Sequence, residues 1–533
     1  MEPGLTVRSP SVLRALTQRP KPAIDILLKD EEEKTPVHFY TTLDRINGEV
    51  SITAPSDMRF DTVEISFMGD ERTLVENLST TAPTSTKIFA SRPFLELKQP
   101  INTAAFPQHQ VAQAGHTYRL PFMFVIPEHL LPQACRHPVD NDQLREAHLS
   151  LPPSLGDPMA PSDGKTLMDD LAPDMSTISY AVKVKITRNR ESGGKPVILA
   201  DVAKKIRVIP AYDEHPPLNV LAGKDDGYCL RKEKDLKKGM FKGKLGRLTV
   251  EAAQPRSLHL HAPRSENRVR VTTMATMNLR FDPAEESAQP PRLGQLVTKL
   301  KAATFFASVP MREIPSNSAA FRFDHRRGLY VETLNLSSRN VESVQWVRHT
   351  ASHDTERGSS AHSVSSAVSI PDASSVYIGK AYYTASIVVP ITLPENKSFV
   401  PTFHTCLISR TYLLDFSLSV HSPGKSVSAS IMHLKVPVQV SSERNANAQP
   451  LISPEEARAI AARDADGYFV PRSVAPPSPE YTERAELVRP APQVTNLAME
   501  SAAQPPEYAF LGSHAQGMAF AAARPICLPS ACC

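Results

Sequence analysis

The chain has 533 residues, 41% of them hydrophobic, and carries 48 prolines against 21 glycines. That apolar fraction excludes wholesale disorder, and the proline density speaks against a mainly helical protein. Sixty basic and 56 acidic residues leave a formal charge of +4, too balanced to imply nucleic acid as a partner.

Residues 1–20 contain no apolar run of signal-peptide length and read as a disordered N-terminus. No window approaches ~18 uncharged apolar residues, so no membrane-spanning helix is expected. A first series of β-rich runs follows within 21–215, at 23–28, 46–52, 62–68, 118–126, 180–187 and 205–209. Tyr180, Val182, Val184 and Ile186 alternate with Ala181, Lys183, Lys185 and Thr187, the period of a half-buried strand. The Pro/Asp-rich stretch 137–175 interrupts the series and reads as a long surface loop.

Residues 216–246 read as a basic inter-domain segment. The run 231–247 holds eight basic and two acidic residues. Lys232, Lys234, Lys237, Lys238, Lys242 and Lys244 in it are the accessible lysines expected to accept a modification, and the run could also contact anionic lipid. A second β series fills 247–442, at 247–252, 268–279, 296–306, 329–334, 343–347, 382–393, 407–420 and 433–440, with a serine-rich loop expected at 359–375. Both series end alike: a strand, an Ile-Pro or Leu-Pro turn, a Pro-Ser or Pro-Thr turn, a Tyr-led alternating strand and a final strand. The expectation is an all-β protein of two tandem antiparallel β-sandwiches.

From 443 to 533 the chain is proline-rich and lacks lysine, the composition of a disordered tail. A short helix is expected at about 454–464, where Ser453 and Glu456 form a capping box. Pro505, Pro506, Glu507 and Tyr508 form a PPxY sequence. Two adjacent prolines hold polyproline II, and the tyrosine two positions on fills a second pocket of a WW domain. Pro479 and Tyr481 make a weaker echo. Cys532 and Cys533 are the lipidation candidates, but no polybasic run precedes them, so they are read as unmodified.

The remaining cysteines, Cys135, Cys229, Cys406 and Cys527, form no CxxC pair, so neither a metal centre nor a cofactor is expected. No GxSxG elbow, P-loop, HExxH or kinase motif set occurs, which argues against an enzyme.

The runs AGHTYRLPFMFVIPEHLLPQAC, HLSLPPSLGD and ISYAVKVKITR resemble the N-terminal arrestin domain. PPRLGQLVTKLKAATFFAS and ITLPENKSFVPTFHTCLISRTYLLDFSLSV resemble the C-terminal domain of fungal alpha-arrestins, of the Bul-like group. The resemblance covers roughly 20–442. It implies two arrestin-type sandwiches and a cytoplasmic adaptor, recruited peripherally to plasma membrane and endosomes. Such an adaptor links a WW-domain HECT ubiquitin ligase, through PPxY, to cytosolic segments of transporters or receptors, for ubiquitin transfer and endocytosis. The alternative is an arrestin-fold endosomal sorting scaffold that works without a ligase.

Overall fold

The computed structural model describes residues 21–29, 39–78, 85–101, 110–157, 168–189, 195–220, 227–238, 243–262, 269–350, 370–374, 377, 381–422 and 429–445. Strands make up 57% of it and helix 5%, so the protein is all-β. No helix among the described residues is long and apolar enough to cross a membrane.

The first half supplies β1 (Ala23–Leu28), β2 (Phe39–Tyr40), β3 (Arg45–Thr53), β4 (Met58–Arg59) and β5 (Thr62–Leu78). They are followed by β6 (Ser85–Lys98), β7 (Val111–Ala112), β8 (Thr117–Val125), α1 (Asp142–Leu149), β9 (Ser176–Arg188) and β10 (Val197–Val208). One sheet has the order β1-β3-β8 and the other β2-β10-β9-β5-β6. Pairing is antiparallel except where β2 joins β10. Between the sheets, Tyr180, Val182 and Val184 meet Ile46, Val50, Ile65 and Phe67, with every one of these side chains fully buried. The alternation read in β9 is thus the inward-facing half of a sandwich.

The second half supplies β11 (Arg231–Lys237), β12 (Lys244–Ala252), β13 (Leu258–Leu260), β14 (Thr272–Pro283), β15 (Arg292–Ala307) and α2 (Ala319–Phe323). Then come β16 (Arg327–Asn340), β17 (Val347–His349), β18 (Tyr382–Thr392), β19 (Phe403–His404), β20 (Ile408–His421), β21 (Ser430–Val438) and β22 (Val440–Ser442). The sheet β11-β12-β14-β18-β17 faces the sheet β16-β15-β20-β19, in which β21 also pairs with β20. Leu248, Val250, Leu279, Leu300 and Leu414 form the centre of this second core.

Three expectations change, and one strand was not expected. The described parts of 137–175, residues 137–157 and 168–175, are not a surface loop: they contain α1, and Leu144, Leu151, Leu155 and Leu171 are buried. Leu-Pro-Pro-Ser-Leu docks against the first core, and apolar burial offsets the cost of ordering a proline-rich segment. Residues 231–237 do not link two domains as free chain but form the edge strand β11, since Leu236 alone among alternating polar residues is buried. The run 343–347 is irregular, with Ser343 in a turn and only Val347 in a strand, β17. Strand β6, an edge with exposed Phe89, carried too little alternation to be read beforehand. The loop expected at 359–375 and the tail from 446 onward, with its capping-box helix, fall mostly or wholly outside the described residues.

Candidate functional site

The two cores interpenetrate at one junction. Val400, Phe403, Leu407 and Ile408 from the second half pack in the first core, and Leu171 from the first half packs in the second. β19 and β20 form a short hairpin whose turn holds Thr405 and Cys406.

Thr405 organises that turn. Its hydroxyl accepts from the Ile408 N–H at 2.9 Å and donates to a carboxylate oxygen of Glu71 on β5. Glu71 is fully buried and takes a second partner in Arg92 of β6, at 2.8 Å. Burial pushes the Glu71 carboxyl up from its ordinary value, opposed by the Arg92 charge and the Thr405 and Leu407 hydrogen bonds. Thr73 of the same strand donates to the Ala307 carbonyl at 2.7 Å, a second bond from β5 into the other half.

A second set of charges sits beside it. Arg410 on β20 is fully buried and donates to the Asp170 carbonyl at 3.2 Å. The Asp170 carboxylate receives Arg207 of β10 at 3.3 Å and the Gly156 N–H at 2.7 Å. Lys397 reaches Asp169 at 2.7 Å, and this hydrogen bond holds the Asp169 carboxyl below the usual range. The segment 168–174 therefore lies at the junction, held from both halves by charge-assisted bonds.

At the same junction the fold gathers two cysteines that sequence spacing keeps apart. Cys135, His137, His148 and Cys406 place their donor atoms within 4.8 Å of one another. Cys135 Sγ lies 3.4 Å from His137 Nε2 and 3.6 Å from His148 Nδ1, and His137 Nε2 lies 3.1 Å from Cys406 Sγ. Cys135, His148 and Cys406 are buried. Burial lowers His148 to about 3 and pushes the Cys406 thiol up, so the free thiol is a poor nucleophile. Sequence reasoning missed the group because Cys406 stands 269 positions from His137. Cys-x-His at 135–137, followed by a histidine on a capped helix, was the available signal.

The lysines expected to accept a modification are partly described. Lys232, Lys234, Lys237 and Lys244 are exposed on the β11–β12 hairpin, whereas Lys238 is half-buried and pairs with Glu285 at 2.6 Å. Arg231 and Arg247 both pair with Glu233, and Lys244 pairs with Asp235. Lys232, Lys234 and Lys237 have no acidic partner among the described residues. With Lys435 and His433, Lys232 and Lys234 line one shallow concavity. Lys242, Pro479, Tyr481, Pro505, Pro506, Tyr508, Cys527, Cys532 and Cys533 lie outside the described residues. No family model matches the chain, and no curated protein matches it.

Proposed function

We propose that the chain is an arrestin-like adaptor. Its sandwiches take cytosolic segments of a plasma-membrane transporter or receptor, and Pro505, Pro506 and Tyr508 engage a WW-domain HECT ubiquitin ligase. The observation that carries this reading is the order of parts: two all-β sandwiches, then a proline-rich stretch with a PPxY sequence and no lysine. Polyproline II across an aromatic groove, with the tyrosine in its own pocket, is the recognition mode that such a sequence serves.

The lysine-free C-terminal stretch sends ubiquitin to the sandwiches or to the cargo. Lys232, Lys234, Lys237, Lys238, Lys242 and Lys244 are the proposed acceptors on the adaptor. The hairpin supports them by exposing four, not by unfolding cheaply, because it is paired from Arg231 to Lys237. Ubiquitin found chiefly on Lys183 or Lys205 would contradict this assignment. The same hairpin is the proposed contact for anionic lipid, through Lys232, Lys234 and Lys237, which lack an acidic partner among the described residues, rather than through the whole run. Membrane recruitment then depends on cargo and on this hairpin, not on Cys532 and Cys533.

Tyr508→Ala in the full chain is expected to abolish co-purification of the ligase, while Tyr481→Ala leaves it in place. Undiminished ligase in the Tyr508→Ala sample with loss in Tyr481→Ala would move the contact to Pro479 and Tyr481, whereas wild-type chain that brings down no ligase would favour the ligase-independent sorting scaffold.

A further inference from the structure

We propose that Cys135, His137, His148 and Cys406 form a tetrahedral zinc site that clasps the segment around α1 to the β19–β20 hairpin. Two thiols and two imidazoles are the donor set of a closed structural zinc centre, and no hard oxygen ligand of the calcium or magnesium kind is among the four.

The distances fit such a centre. With Zn–S near 2.3 Å and Zn–N near 2.05 Å, the edges of a regular tetrahedron are about 3.6 Å between sulfur and nitrogen. Three of the four sulfur–nitrogen separations are 3.1, 3.4 and 3.6 Å. The separations across the group stay within 4.8 Å, so one ion reaches all four donors after small side-chain rotations.

Each donor is aimed by its own local structure. The Pro132–Ala134 turn ends at Cys135, whose N–H donates to the Pro132 carbonyl and whose carbonyl accepts from Arg145 at 3.2 Å. Asn141 caps α1 through the Leu144 N–H at 2.7 Å, which fixes the helix that carries His148 inward. His137 Nδ1 lies 3.0 Å from the Pro138 carbonyl. A carbonyl only accepts, so Nδ1 carries the proton and Nε2 turns its lone pair to the sulfurs, the orienting contact that metal-bound histidines use. Cys406 is held by the Thr405 turn and by the Met311 N–H donating to its carbonyl at 2.7 Å.

Without an ion the group is poorly satisfied. Thiols are weak donors, and His148 Nδ1 faces the Cys135 sulfur at 3.6 Å. As the two Zn–S bonds form, each thiol releases its proton to solvent, and the two thiolates neutralise the dication, so the buried site carries no net charge. The ligands come from 135–148 and from 406, so zinc joins the two halves of the chain beside the Glu71–Thr405 bond.

The test uses the full chain, purified in reducing buffer with zinc sulfate and desalted. Elemental analysis is expected to give about one zinc per chain. A variant with Cys527, Cys532 and Cys533 all changed to Ser should keep that ion, which excludes the C-terminal thiols. Cys406→Ser and His148→Ala should each weaken zinc binding by at least about tenfold. Cobalt exchanged into the wild-type chain should show the intense visible bands of tetrahedral cobalt–thiolate coordination, and this decides the question if either variant fails to fold. Folded wild-type chain with neither zinc nor cobalt bands, or mass spectrometry showing a Cys135–Cys406 disulfide in the purified protein, would overturn the proposal.

Discussion

Arg92→Leu is expected to destabilise the folded chain by about 3–5 kcal/mol, read as a lowered urea midpoint. The argument rests on Glu71. Its side chain is wholly removed from solvent, and Arg92 is its only charged partner at contact distance among the described residues. Removing the guanidinium leaves a buried carboxylate held by a hydroxyl and a backbone amide alone, and an uncompensated buried charge costs far more than a lost surface pair. The double variant Arg92→Leu with Glu71→Gln removes both charges and keeps a side-chain carbonyl to accept from Thr405. It should recover most of the loss. A double variant as unstable as Arg92→Leu alone would show that packing, not charge, holds this part of the junction.

Phe67→Ala should cost about 3–5 kcal/mol, because it empties the centre of the first core. The ring is fully buried and stacks on Tyr180 at 5.8 Å, with Phe124 at 6.0 Å. Phe89 on the neighbouring edge strand is 75% exposed, and Phe89→Ala should stay within about 0.5 kcal/mol of wild type. The pair separates burial from residue type. Equal effects at the two positions would contradict the register of β5 and β6, in which Phe67 pairs with Leu97 and Phe89 with Leu74.

Inward-facing strands were legible because a sandwich imposes a period of two on them. Thr117–Val125, Ser176–Arg188, Tyr382–Thr392 and Ile408–His421 all alternate in burial along the chain, and their sequences alternate in polarity. The edge strands β1, β8 and β16 were expected at 23–28, 118–126 and 329–334, but the edge strands β6 and β11 were not legible. β6 and β11 bury few side chains, and β11 reads as a charged run because its one buried residue is Leu236. The 137–175 stretch misled for a related reason: its prolines signal a loop, yet Leu151, Leu155 and Leu171 fill gaps that only the assembled sandwiches create. The thiol–imidazole group lay beyond sequence reasoning altogether. Three donors fall within fourteen residues, but the fourth arrives on a hairpin whose approach depends on the fold of both halves. The PPxY sequence has the opposite character, since its chemistry is local and is read directly from Pro505, Pro506 and Tyr508.

The adaptor reading turns on that local chemistry. Titration of isolated WW domains with the full chain, and with its Tyr508→Ala variant, is the most direct test. Saturable binding by the wild-type chain is expected, reduced at least about tenfold in the variant as the tyrosine pocket empties. Wild-type chain that binds no WW domain, or binds equally after Tyr508→Ala, would contradict the account.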